Sequence, residues 1–349
     1  MDYREHAINR DWSAEGKIDL LRQMIRIRRF EQMALKYYNA GKIGGWLPLD
    51  IGQESIATSV RSVMGKDDHS VSGYRGLGHG LAAGIAMGPM MAELFGKSNG
   101  ISKGKAGAVS YYAPDLQHWG AYALAAAQTP LAAGFAFALK QRGIQGAAVC
   151  FLGDGACNQG VYHESLNLAG LFGLPVVYLI ENNGYALGMS VARSSRFKEC
   201  LARRAEGYDI EWDRFGDSDP YEIRARVSDA LQRAYTESRP TVIEIETYRY
   251  YGFHVGDANA KKYRTPEEIE ERRKRDPVML WRRHLLEEGI LDEAEAEEID
   301  QQAKNESLEA VKFADSGAPP SISDIVRDVY WESDHDTEAS RIGQHFFGE

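Results

Sequence analysis

The chain has few cysteines and no long apolar run. Its 349 residues include three cysteines, Cys150, Cys157 and Cys200, which are too few and too scattered for a disulfide framework or a zinc site. We therefore expect three reduced thiols. No tract reaches ~18 uninterrupted apolar residues, so the sequence predicts no membrane-spanning helix. The N-terminal residues lack the apolar segment of a signal peptide, and we expect a cytoplasmic protein.

The chain also lacks an excess of basic residues. It carries 41 Lys and Arg against 51 Asp and Glu, which gives a net charge of −10. Nucleic-acid binding needs clustered positive charge to neutralise phosphates, so the composition disfavours such a surface. Any anionic ligand must instead be held by a local arrangement of donors. With 44% hydrophobic residues, the chain can bury one large core or two.

Helix-like and strand-like segments alternate through the middle of the chain. The hydrophobic pattern predicts helices at 128–141, 158–172 and 220–237 and strands at 147–152, 175–181 and 240–246. This alternation indicates an α/β protein with a doubly wound parallel sheet. Earlier in the chain we expect helices at 16–40 and 53–64, and a short buried strand that runs into a loop at 69–84. Residues 99–125 show no clear periodicity, and an irregular stretch of this length is more often functional than a linker.

The C-terminal third is rich in charge and in residues that begin or end helices. Thr265 and Glu268 form a capping-box pattern at the start of one helix. Asp276, followed by Pro277, predicts the start of a second helix, and Gly289 predicts its end. We expect a solvated helical appendage in this part of the chain.

These patterns divide the chain into four predicted segments. They are an N-terminal helix with a glycine-rich turn at 1–50, an α/β domain at 51–262, the helical appendage at 263–322 and a C-terminal tail at 323–349. The end of the tail, 334–349, contains "HFF" and is expected to be mobile and to offer an aromatic contact to a partner.

Two polar motifs follow two neighbouring predicted strands. "GDG" at 153–155 follows the first strand, and "NN" at 182–183 follows the next. The carboxyl ends of parallel strands meet at one edge of a sheet, so these motifs should be neighbours. The glycines allow a close approach of backbone to an anion, and a carboxylate that faces an anion needs a cation between them. Asp154, the Asn183 side-chain oxygen and the Tyr185 carbonyl therefore predict a Mg²⁺ site.

The pair of motifs, with one helix and one strand between them, resembles the thiamin diphosphate-binding motif. "MAELFGKSNGISKGKAG", "AAAQTPLAAGFAFALK", "TYRYYG" and "YRTPEEIEERRKRDPVML" widen the likeness. Over about residues 15–320 the chain resembles the alpha subunit of the thiamin-dependent, decarboxylating component of 2-oxo acid dehydrogenase complexes, a family that includes pyruvate, branched-chain and acetoin dehydrogenases. The resemblance implies the thiamin diphosphate-binding fold, with thiamin diphosphate and Mg²⁺ as cofactors and residues 51–262 holding the diphosphate.

The resemblance also assigns roles to individual residues. Tyr74 and Arg75 match residues that contact the diphosphate, and an arginine fork suits phosphate oxygens. Ala123 and Ala125 match residues whose backbone meets the aminopyrimidine ring. The implied cofactor and metal set is completed by the motif residues Gly153, Asp154, Gly155, Ala156, Asn183 and Tyr185.

A second module should supply the other half of the cofactor site. In the family, that module holds the aminopyrimidine and a glutamate that drives formation of the thiamin ylid. The sequence contains only the diphosphate half, so the resemblance implies a separately encoded beta subunit in an alpha2beta2 assembly. It also implies transfer of an acyl group to the lipoyl domain of an acyltransferase, with neither nucleic acid nor membrane as a partner.

Two residues depart from the family pattern. Phe253 and Pro48 stand where the family usually has histidines, and His254 follows Phe253 directly. Either His254 substitutes for the family histidine as an acid or base, or Phe253 shapes an altered pocket. The loop 250–264 that holds both is expected to be mobile without ligand and to close over the diphosphate when cofactor binds.

These departures keep a second function open beside the 2-oxo acid dehydrogenase. It is a thiamin enzyme that cleaves an acyloin or ketose or transfers a two-carbon unit, like acetoin dehydrogenase or transketolase. A third possibility, a binding subunit without catalysis, is disfavoured because the metal ligands are intact.

Overall fold

The structure is a computed structural model that describes residues 2–217 and 219–328. The predicted aromatic contact of the tail at 334–349 lies outside the described residues. Strands in the described part are β1 His69–Gly73, β2 His118–Tyr122, β3 Ala148–Gly153, β4 Val176–Asn182, β5 Tyr185–Ala186, β6 Met189–Ser190, β7 Glu211–Gly216 and β8 Thr241–Glu246.

Helices lie between and around these strands. The α-helices are α1 Ala7–Arg10, α2 Ala14–Asn39, α3 Glu54–Arg61, α4 Leu77–Ala83, α5 Met87–Leu94, α6 Gln128–Gln141, α7 Gly160–Phe172, α8 Val191–Ser194, α9 Pro220–Glu237, α10 Ala260–Tyr263, α11 Pro266–Arg273, α12 Pro277–Glu287 and α13 Glu293–Ser316. Short 3-10 turns occupy Tyr3–Glu5, Pro114–Leu116, Asp154–Asn158, Ala202–Tyr208 and Ile322–Val326.

The predicted doubly wound parallel sheet is confirmed. Six of the described strands form one parallel sheet in the order β2-β1-β3-β4-β8-β7. Alternate residues of β3 face opposite sides, so Cys150 packs with α6 and α7 while Val149 packs with α3 and α9. Helices therefore cover both faces of the sheet, which explains why β3 and β4 are apolar along most of their length.

A separate helical layer joins the two ends of the described chain. The first turns of α2, with Leu21 and Met24, pack against α12 and α13 around Trp281. Further along α2, Phe30 packs with α5 and with Val311 of α13. The N-terminal helix and the C-terminal helices thus share a core beside the sheet. The division at residues 50, 262 and 322 stays a prediction.

Two expectations for local structure are wrong. Residues 69–84 were expected to run from strand into loop, yet Leu77–Ala83 is a helix, α4. Residues 99–125 were expected to be irregular, yet His118–Tyr122 is the edge strand β2. Both segments contain glycine and lack regular hydrophobic periodicity, so their structure depends on the elements they pack against.

The helix signals of the C-terminal third are confirmed except for one side chain. The Thr265 hydroxyl caps α11 by accepting from the Glu268 amide. Glu268 does not complete the capping box, because its carboxylate accepts instead from the Tyr185 and Tyr248 hydroxyls, at 2.9 to 3.1 Å. The Asp276 side chain caps α12 as expected. Glu268 therefore links the helical appendage to the hairpin that carries Tyr185.

All three cysteines lie in the described part of the chain. All three thiols are free, and burial raises the pKa of Cys150 and Cys157. In the part of the chain that the structure describes, helices long and apolar enough to cross a membrane are absent.

Candidate functional site

A cavity of about 330 Å³ opens at the carboxyl edge of the sheet. Its lining includes every residue that the sequence assigned to the cofactor: Tyr74, Arg75, Ala123, Ala125, Gly153, Asp154, Gly155, Ala156, Asn183 and Tyr185. These residues are far apart in the sequence, and the fold brings them together. His254 is not among the residues that line the cavity.

The topology of the sheet explains where the cavity lies. From β1 the chain passes to β2 on one side, and β3 then returns to the opposite side of β1. Ligands of doubly wound sheets bind where the direction of winding changes in this way. The residues that follow β1, β3 and β4 therefore meet around one space.

Asp154 is a buried carboxylate with one unsatisfied oxygen. The residue is 3% exposed, and within the described residues its Oδ2 has no hydrogen-bond partner. Burial raises the pKa of Asp154 to about 6, although the charges of Arg249 and Arg75 lower it. A buried carboxylate of this kind is stabilised by a cation at its free oxygen.

Asn183 and Tyr185 line the same cavity as Asp154, and the Tyr185 carbonyl accepts from the Arg249 guanidinium at 3.5 Å. The Asn183 Oδ1 accepts from the Tyr185 amide at 3.3 Å, which leaves its second lone pair free. In residues 2–217 and 219–328, no group of three or more His, Cys, Asp or Glu side chains could hold a metal ion. A site with one carboxylate, one amide oxygen and one carbonyl fits Mg²⁺, which takes its remaining oxygen ligands from phosphates and water.

The backbone of the "GDG" motif is shaped for close approach. A Cβ on Gly155 would lie 2.4 Å from the Ala186 side chain, so only glycine fits against this hairpin. Gly153 has open space on the cavity side, with nothing within 4 Å of an added Cβ. Gln159 precedes α7 without a side-chain cap, and the Tyr162 amide donates to the Gln159 carbonyl at 3.2 Å, so the Gly160 and Val161 amides are the ones left for an anion.

Arg75 lies under the cavity and holds two chain segments. The residue is 7% exposed, and its guanidinium donates to the carbonyl oxygens of Leu49 and, at 3.2 Å, of Phe253. Because both acceptors are neutral carbonyls, the positive charge is available to an anion in the cavity. Arg75 thus connects the predicted diphosphate site to the loop 250–264.

Several residues at this site, among them four with polar side chains, were not predicted from the sequence. Gln53, Gln128 and Glu181 line the cavity. Arg249 lies behind it and donates to the Leu187 carbonyl at 2.8 Å. Glu181 directly precedes "NN" and its signal was available in the sequence, whereas the other three depend on tertiary packing.

His254 is held by the loop rather than aimed into the cavity. Its ring lies parallel to the Trp46 indole, with 5.8 Å between centroids. Its Nδ1 accepts from the Gly256 amide at 3.0 Å. Phe253 meets the same indole edge-on at 5.6 Å. These contacts make His254 part of an aromatic cluster at the mouth of the cavity.

Known proteins are similar in sequence to this chain over most of its length. The family model described as "Dehydrogenase E1 component" matches residues 22–323. The chain belongs to the dehydrogenase E1 component family. The pyruvate dehydrogenase E1 component subunit alpha of Rickettsia felis is 37% identical over 316 residues, which cover 90% of this chain and 96% of the relative. The Rhizobium meliloti protein of that name is 34% identical over 320 residues and 91% of each chain. The mitochondrial protein of Saccharomyces cerevisiae is 35% identical over 316 residues, 90% of this chain and 74% of its own.

Membership of the dehydrogenase E1 family confirms the resemblance found in the sequence. The chain is an alpha subunit of the thiamin diphosphate-dependent 2-oxo acid dehydrogenase type. One wall of the cavity is open. Ala123 and Ala125 are exposed, and Leu124 between them is 76% exposed.

We predict that His254→Ala in this E1 alpha subunit changes kcat by less than about threefold, whereas loss of a general acid or base lowers rates by about 10² to 10⁴. The reason is that the imidazole already packs on Trp46 and accepts from the Gly256 amide. Steady-state kinetics of the alpha–beta pair with saturating cofactor would measure this. Phe253→His serves as the comparison, because it places an imidazole at the position where the family has one. A hundredfold loss in His254→Ala would contradict the packing role.

Proposed function

We propose that this alpha subunit decarboxylates pyruvate or a closely similar 2-oxo acid and passes the acyl group to a lipoyl domain. The observation that carries the proposal is the convergence of the ten assigned residues on one cavity at the switch point of the sheet. The relatives named above are pyruvate dehydrogenase subunits, which favours this substrate over an acyloin or ketose.

We propose the following roles for the chain's own residues. Asp154, the Asn183 amide oxygen and the Tyr185 carbonyl hold Mg²⁺, which in turn holds the diphosphate. The Arg75 guanidinium neutralises the charge of the phosphate oxygens, and the backbone of Gly155 and Ala156 binds them. Tyr74, which also lines the cavity, contacts the diphosphate from the rim. When bound, thiamin diphosphate supplies an electron sink for the carbanion that remains as a 2-oxo acid loses CO₂.

We further propose that the subunit works in the cytoplasm as an alpha2beta2 heterotetramer with a lipoyl acyltransferase. The exposed residues Ala123 and Ala125 lie at the open wall of the cavity, where the aminopyrimidine half of the cofactor would leave this chain. A beta subunit at that wall would complete the site and exclude water from it. We propose the four-segment division of the chain on the same basis, with 51–262 as the cofactor-binding part.

Activity of the co-expressed alpha–beta pair tests this function. We expect CO₂ release from pyruvate and acyl transfer to an isolated lipoyl domain, both dependent on Mg²⁺ and thiamin diphosphate. Acetoin and a ketose phosphate should be turned over much more slowly than pyruvate. Cleavage of either of them at a higher kcat/KM than pyruvate would contradict the proposal.

A further inference from the structure

Gln53 is aimed into the cavity by a constrained corner of the chain. The preceding Gly52 has φ of +106°, and an added Cβ there would lie 2.3 Å from the Tyr248 carbonyl oxygen. The backbone amide of Gln53 donates to the Asp50 carbonyl at 2.7 Å, and α3 begins at the next residue. The side chain is 2% exposed and lines the cavity. The backbone therefore fixes where this side chain leaves the chain, and burial restricts its rotamers.

A chain of hydrogen bonds fixes which end of the Gln53 amide faces Asn183. The Tyr185 backbone amide can only donate, so the atom of Asn183 that it meets at 3.3 Å is Oδ1. The Asn183 Nδ2 therefore points the other way and donates to Gln53 at 3.2 Å. Gln53 must accept this bond with Oε1. The orientation of both amides follows from one backbone donor.

This orientation leaves a buried donor without an acceptor. The Gln53 Nε2 has no hydrogen-bond partner in the described part of the chain. The Asp154 Oδ2 lies on the same cavity and is also without one, so the two groups do not satisfy each other. Buried polar atoms in native proteins are nearly always paired, so both call for a ligand. Such a ligand must offer a cation to the carboxylate and an acceptor to the amide.

We propose that Gln53 is a further cofactor-binding and positioning residue of this subunit. Its Oε1 holds the Asn183 amide with the oxygen directed at the metal, and its Nε2 donates to an oxygen of the metal-bound diphosphate. The inference rests on the proposed function, because it takes magnesium and a diphosphate as the ligand. Gln53 lies outside the "GDG" and "NN" motifs, and in this role it orients a metal ligand and binds the phosphate.

Two substitutions separate the two roles of the amide. Gln53→Glu still accepts from Asn183, but it removes the donor and adds a negative charge beside the diphosphate. Gln53→Met has a similar length and removes both the donor and the acceptor. Gln141→Glu, at the exposed end of α6, is the matched control for the change of charge. All variants are made in the co-expressed alpha–beta pair, and circular dichroism checks that they fold.

Calorimetry of thiamin diphosphate binding and of Mg²⁺ titration is the measurement. We expect Gln53→Glu to weaken the affinity for thiamin diphosphate by about tenfold or more, since hydrogen bonds to charged groups are among the stronger ones. Its Mg²⁺ midpoint should stay near that of the wild type because Asn183 remains oriented. Gln53→Met should weaken the cofactor affinity to a similar degree and also raise the Mg²⁺ midpoint by about fivefold, on the scale of losing a residue that orients a metal ligand.

The outcomes distinguish this inference from the proposed function. If the wild-type pair binds thiamin diphosphate and folded Gln53→Met binds it with the same affinity, the role of Gln53 is overturned while the proposed function stands. A wild-type pair that binds no thiamin diphosphate with Mg²⁺ overturns the proposed function and this inference with it. Loss of affinity in both Gln53 variants, with Gln141→Glu unchanged, supports the inference.

Discussion

Replacing Asp154 with alanine is expected to abolish Mg²⁺-dependent binding of thiamin diphosphate. Asp154 is the one carboxylate among the proposed metal ligands, and its free Oδ2 is buried at the cavity. Residues that only orient metal ligands contribute about 10- to 100-fold in affinity, so the loss of a direct ligand should exceed about 100-fold. Calorimetric titration of the variant pair with thiamin diphosphate at saturating Mg²⁺ measures the effect.

Asp154→Asn separates the charge of this residue from its volume. The amide keeps the shape and one oxygen, so a loss of binding in Asp154→Asn assigns the effect to the negative charge. Asp209→Asn is the control, because Asp209 is an exposed aspartate away from the cavity lining. Wild-type cofactor affinity in either Asp154 variant would show that the metal is held elsewhere.

The second large effect concerns the purified alpha subunit without its partner. We expect its turnover to lie at least about 10²-fold below that of the alpha–beta pair, on the scale of losing a general acid or base. The reason is that the cavity has one open wall at Ala123 to Ala125, whereas the glutamate of the described residues that lines the cavity, Glu181, lies at the end of β4 and not at that wall. Adding purified beta subunit should restore the activity in proportion to the complex formed.

Size-exclusion chromatography of the same samples provides the check on assembly. Activity should appear only in fractions that contain both subunits. Turnover by the alpha subunit alone, equal to that of the pair, would mean that one chain contains the whole cofactor site.

The central part of the fold could be predicted from the sequence because local and tertiary preferences agree there. Strands β3 and β4 are runs of buried apolar residues that end in Gly153 and Asn182, and α6 and α9 were predicted with their observed bounds. The Asp219 side chain caps α9 and marks its start in the sequence. The order of these elements placed "GDG" and "NN" at one edge of the sheet.

Other parts could not be predicted because their signals lie outside their own sequence. The strand β2 contains Gly120 and lies at the edge of the sheet, where β1 is its neighbour among the described strands. The helix α4 contains two glycines; the Gly78 amide donates to the Asp50 carboxylate at 2.8 Å, and an added Cβ would lie 2.9 Å from the same carboxylate. Gln53 acquires its role from Asn183, which lies far along the chain. Each of these depends on a neighbour that the local pattern does not contain.

The shared core of α2, α12 and α13 has a consequence for synthesis of the protein. The ribosome releases 14–39 early and 293–316 only near the end of translation. Until then the first part of the apolar face of α2, including Leu21 and Met24, lacks the helices that finally cover it. The nascent chain therefore exposes part of an apolar helix surface while the sheet is being synthesised. Exposed apolar surface of this kind promotes aggregation or binding to chaperones. Premature termination before α13 leaves that face covered only in part, by α12.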